Sequence, residues 1–62
     1  MDWKEKVIKE RDELLLKITN LSEYLENDDN RIAIGDHHWG LLLAQREVMW
    51  KYFEILNERI SK

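Results

Sequence analysis

Apolar side chains recur in steps of four and three along both halves of this chain, and that spacing restricts the fold to helices packed side by side. In the first half Val7, Leu14, Ile18, Leu21 and Leu25 keep the rhythm once position 11, an arginine, is counted. In the second half Leu42, Gln45, Met49, Tyr52, Leu56 and Arg59 keep it too. Such stepping is the seam of one helix lying lengthwise on another. Ile8 and Leu15 widen the first stripe on one flank.

The two periodic segments are separated by NDDNRIAIGDHH, where Asn, Asp and Gly concentrate and the rhythm lapses. The pattern predicts one domain: a first helix over about 2–26, a loop over about 27–36 and a second helix over about 37–60. Asp2 is placed to cap the first helix, with Glu5 three residues on as in a capping box. Asp36 is placed to cap the second. Ile32 and Ile34 are expected to fold back over the open end. A short connection makes the helices antiparallel, so the fold class is an all-α, antiparallel two-helix hairpin.

Two helices enclose no core of their own; each offers one seam, and the remaining apolar surface stays wet. The second helix carries Trp39, Leu42, Leu43, Met49, Trp50, Tyr52, Phe53, Leu56 and Ile60. Their spread around the axis exceeds the ~100° stripe of an ordinary surface helix. With 62 residues, 44% of them hydrophobic, and no cysteine, the chain lacks disulfide staples. Self-association into a symmetric helical bundle, a dimer of hairpins or a tetramer, is therefore expected.

Other function classes find little support. Thirteen acidic residues against ten basic ones give a net charge of -3, and the basic residues are interspersed. Duplex nucleic acid demands clustered positive charge, so none is expected as a partner. No apolar run approaches the roughly 20 residues that span a bilayer, and the charged N-terminal stretch does not read as a signal peptide. A soluble, intracellular chain is expected. His37 and His38 are adjacent, hence about 100° apart on a helix, and chelate one metal poorly. No nucleophile–base pair, Gly-rich phosphate loop or paired carboxylate is recognisable. Neither catalysis nor a metal or cofactor is expected.

The polar residues inside the seams remain. Gln45 and Arg59 interrupt the second stripe, Arg11 the first, and Arg46 lies one position off beside Trp39, Trp50 and Phe53. Such residues commonly fix register or oligomer state, and Arg11 is placed to pair with a carboxylate across the hairpin. A second reading takes them together. A guanidinium on an apolar seam needs an anionic partner, because burying it alone is prohibitive. Guanidinium forks hold phosphates, Tyr and Trp rings stack on nucleobases, and an amide reads a base edge. Arg11, Gln45, Arg46, Tyr52, Arg59, Trp39 and Trp50 are thus the candidate ligand-binding residues, presented twice by a two-fold interface.

The series Leu42, Gln45, Met49, Tyr52, Leu56, Arg59, Ile60, preceded by VIKERDELLLKITNLSEYL with Leu21, Tyr24 and Leu25, resembles a family of very small helical-hairpin proteins of tailed phages. The resemblance covers nearly the whole chain. That family includes sponges against CBASS, an antiphage immunity that signals with cyclic oligonucleotides. The resemblance implies an oligomer, tetrameric in the sponge, that sequesters cyclic dinucleotides such as 3′,3′-cyclic GMP–AMP in the cytoplasm of the infected bacterial host, without cleaving them. A sponge must hold its ligand near nanomolar affinity, about -12 kcal/mol. The competing expectation is a small phage hairpin that grips a host or phage protein through its apolar face, or a purely structural bundle.

Overall fold

The computed structural model describes residues 2–61 as three helices: α1 over Trp3–Leu25, α2 over Asp28–Ile34 and α3 over Asp36–Ser61. Asp2 caps α1 by accepting a hydrogen bond from the Lys4 amide at 3.0 Å. This satisfies one of the amides that a helix start leaves without a partner. Arg11 near the start of α1 meets Asn57 near the end of α3, while Tyr24 and Trp39 meet at the other end. The long helices are therefore antiparallel.

Val7, Leu14 and Ile18 of α1 close on Leu56 of α3, with Met49, Phe53 and Ile60 packed against them. Leu56 and Ile18 are the most deeply buried, at 0% and 1% exposure. Leu25 is buried at the connected end. The first-helix stripe is the expected one, with Arg11 as its polar interruption. The α3 stripe is not. Its inward positions are Trp39, Leu42, Arg46, Met49, Phe53, Leu56 and Ile60, all buried or partly buried. Gln45, Tyr52 and Arg59, expected on the packing seam, are exposed instead. The two patterns share Leu42, Met49 and Leu56. They differ in whether the intervening residue comes three or four positions later, which turns it about 60° to one side of Leu42 or about 40° to the other. Phe53 and Ile60 carry more apolar surface than Tyr52 and Arg59, and burial of apolar area decides the rotation.

The expected loop is largely helical. Asn27 caps α2 by accepting from the Asp29 amide at 2.9 Å, and Asp28 and Asp29 in the first turn suit its positive end. The Asn30 side-chain amide donates to the Tyr24 carbonyl at 2.8 Å, tying α2 back to α1. Ile34 is partly buried, as expected, but Ile32 is 81% exposed. Two residues on a helix are about 200° apart, so only one of the pair can face inward.

Gly35 joins α2 to α3 with φ 89° and ψ 157°, a backbone region essentially reserved for glycine. Its amide donates to the Arg31 carbonyl and its carbonyl accepts from the Trp39 amide, so one residue ends α2 and opens α3. Asp36 is the first residue of α3 rather than its cap, and its carboxylate accepts from Arg31 Nε at 2.9 Å. That hydrogen bond and charge raise the Arg31 guanidinium above its usual pKa.

The result is a rod 46 × 14 × 14 Å with a radius of gyration of 14.4 Å. A compact domain of this length would have about 10.6 Å.

Candidate functional site

On α3 the candidate residues fall on two lines. Gln45, Tyr52 and Arg59 are seven residues apart, within about 40° of one another around the axis. All three are exposed. Gln45 lies near Met49, its side-chain nitrogen 3.9 Å from Sδ. Arg59 sits in the last turn, where a cation is favoured by the helix dipole. Trp39, Arg46 and Trp50 form the second line, about 140° round from the first. Trp39 and Arg46 are partly buried. Trp50 is largely open and meets Phe53 edge to face at 5.5 Å, which fixes the indole plane. Trp39 leans on Tyr24 at a ring separation of 6.4 Å.

Arg11 stands with the second line. Its Nη1 donates to Asn57 Oδ1 at 3.2 Å, while Nε and Nη2 donate to Asp12 at 3.2 and 3.1 Å. The expected carboxylate across the hairpin is thus an amide, and the carboxylate comes from the next residue on the same helix. Asn57 and Arg59 are about 200° apart on α3, so Arg11 and Arg59 serve different faces of one chain.

Arg59 is solvated, and Arg11 is partly exposed with polar partners, so neither is an unpaired buried charge. Among the described residues, the ion pairs are Arg11–Asp12 and Arg31–Asp36; Arg46 and Arg59 take part in neither. Both keep free donors for an anion. Chemically, the first line offers an amide, a phenol and a guanidinium, and the second a guanidinium between two indoles that are about 16.5 Å apart along the axis. Both sets suit a ligand with phosphates and flat rings.

Leu41, Val48 and Ile55 are large exposed residues that the sequence reading did not single out. They were detectable: counted from Leu41, steps of four and three run through 41, 45, 48, 52, 55 and 59, a second seam on the same helix. Among the described residues the hairpin encloses no pocket, and no helix is long and apolar enough to cross a membrane.

No curated protein and no solved structure matches this chain. A family model does, over residues 1–62, and its name denotes sequestration: the chain belongs to the Sequestin family.

Proposed function

We propose that this protein is an immune-evasion sponge that binds and sequesters cyclic dinucleotide signals such as 3′,3′-cyclic GMP–AMP. It acts as a homo-oligomer, a tetramer by resemblance, in the cytoplasm of the phage-infected bacterium, and so starves CBASS effectors of their activator. Capture is stoichiometric, and the nucleotide is not cleaved. Membership of the Sequestin family supports sequestration as the general mode of action. The observation that carries the ligand class is the exposed line of Gln45, Tyr52 and Arg59, flanked by apolar residues on one helix.

In this reading Arg59 contacts a phosphate, Tyr52 stacks on a base and Gln45 reads a base edge or ribose, while Arg46 and Trp50, about 140° round, offer the same phosphate and stacking chemistry on the other face. Trp39 extends the stacking surface. Arg11 chiefly locks the hairpin through Asn57, with Nε and Nη2 donating to Asp12. Pre-built helices suit tight capture because little ordering opposes binding.

Calorimetric titration with a panel of cyclic di- and trinucleotides tests the proposal. Heat at one site class, with intact nucleotide recovered after heat denaturation, is expected. A well-folded protein that gives no heat with any of them overturns it. That result would favour the alternative, a hairpin that grips a host or phage protein through the exposed Leu41, Val48 and Ile55.

A further inference from the structure

Seven residues of α-helix advance about 10.5 Å along the axis, so Gln45 and Arg59 of one chain are about 21 Å apart. That is too far for both to hold one small nucleotide. Yet they stand at opposite ends of a single line, in a stripe with Leu41, Val48, Tyr52 and Ile55, which are 56%, 65%, 40% and 58% exposed. The stripe steps by four and three throughout, as a second helix–helix seam requires.

We infer that this stripe packs antiparallel on the same stripe of a second copy, and that the ligand site is shared across the joint. The occupant is a second copy because the stripe is complementary to itself. With a two-fold axis midway along it, Val48 meets the partner's Tyr52, a small β-branched residue against a ring. Gln45 meets the partner's Ile55, and Leu41 meets the partner's Arg59. Each polar residue then faces an apolar one, and no like charges oppose each other. A two-fold packing closes after one pair, as isologous interfaces do.

The exposed area agrees. The chain presents 4841 Å² to solvent, whereas a folded monomer of 7.6 kDa presents about 4300 Å². The excess, about 540 Å², is about two-thirds of one side of a standard protein interface, about 800 Å² per partner.

This arrangement makes the reach problem disappear. Arg59 of one copy lies level with the partner's Leu41, and the partner's Gln45 is one turn further along, about 6 Å. Two such ends exist per pair, related by symmetry. None of the six stripe residues carries a carboxylate. Covering Arg59 therefore creates the need for an anion that the open hairpin lacks, and a phosphate from the ligand meets it. The shared site rests on the proposed nucleotide binding; the interface itself does not.

Two measurements separate these. The chain has no cysteine, so single cysteines report cleanly. Leu41→Cys and Arg59→Cys chains, mixed and treated with a short bifunctional maleimide, are expected to cross-link to each other. Leu41→Cys alone should not, because its two copies would stand about 27 Å apart along the axis. Self-linking of Leu41→Cys, no mixed product, or a folded single chain at micromolar concentration in the ultracentrifuge would overturn the interface. The second measurement uses 3′,3′-cyclic GMP–AMP. Gln45→Ala and Arg59→Ala should each bind at least 10-fold more weakly, yet an equal mixture allowed to exchange should recover about a quarter of the sites at full affinity. Half the pairs are then mixed, and each has one end with both residues intact. A mixture that recovers no sites places Gln45 and Arg59 in different sites and overturns the sharing. Absence of heat with the unmodified protein sinks the nucleotide reading and the sharing together, while the cross-linking result still decides the interface.

Discussion

The two stripes of α3 are built from the same spacing and have opposite fates. Leu42, Met49, Phe53, Leu56 and Ile60 face α1 and are buried or partly so; Leu41, Val48, Tyr52 and Ile55 face away and stay largely open. Polar residues divide the same way. Arg46 on the inner stripe is partly buried, whereas Gln45 and Arg59 on the outer one are exposed. A heptad rhythm thus states that a helix will be packed, not which neighbour packs it. On one helix it has been written twice, about 110° apart around the axis. The inner copy makes the hairpin, and the outer copy is available for recognition.

The sharpest way to break this contrast is to delete side-chain volume on each stripe in turn. Leu56 is fully buried among Val7, Leu14 and Ile18, so Leu56→Ala should cost about 2–5 kcal/mol through lost burial and a residual cavity. In so small a chain that is a large share of total stability. Ile55→Ala, one residue away at 58% exposure, should cost the isolated hairpin less than about 1 kcal/mol. Urea unfolding followed by circular dichroism gives both numbers at low protein concentration. Equal losses would mean that the two stripes are not distinct. Repeating the measurement at rising concentration sharpens the result, because Ile55→Ala should then lose more if a second copy covers it.

Gly35 is the single link between α2 and α3, so a substitution there tests whether the turn adds to the burial that orients α3. Its φ of 89° with ψ of 157° strains any residue with a Cβ, although nothing stands within 4 Å of where that atom would be. Gly35→Ala should therefore cost about 1–3 kcal/mol through backbone strain alone. Relief of that strain would rotate α3, so tryptophan fluorescence, to which Trp39 and Trp50 of α3 both contribute, should shift as well. An unchanged midpoint and spectrum would show that the turn does not set the rotation.

Most of the fold was legible because long helices repeat their signal. The α1 stripe from Val7 to Leu25 follows from spacing, and the antiparallel return from the short connection. The rotation of α3 did not, because Leu42, Met49 and Leu56 belong to either choice and only the greater apolar area of Phe53 and Ile60 breaks the tie. The α2 helix was hidden for a different reason: at seven residues it is too short to show a period, and its trace in the sequence is the Asn27 cap followed by Asp28 and Asp29. The candidate residues were found by type, an arginine or an aromatic out of place. Their division into two lines was not visible, since that depends on which side of α3 is covered.

The cap offers a smaller test of whether α2 matters to the contrast. Asn27→Ala removes the acceptor for the Asp29 amide and should destabilise by about 1 kcal/mol. Hydrogen exchange should speed up in α2 and in the first turn of α3, and leave the Leu56 region protected. Faster exchange around Leu56 would show instead that the connection and the seam unfold as one unit.

The smallest predicted effect has the opposite sign. Gly40 lies in the second turn of α3 with ordinary helical backbone and open space around it. It belongs to neither stripe, being about 160° from Leu42. Gly40→Ala should stabilise the hairpin by about 0.5–1 kcal/mol, because the unfolded chain loses freedom and the helix gains a better former. Neither the mass in solution nor any nucleotide affinity should change. A gain in stability accompanied by lost self-association would show that the far side of α3 is also an interface, and the two-stripe description of the helix would have to become three.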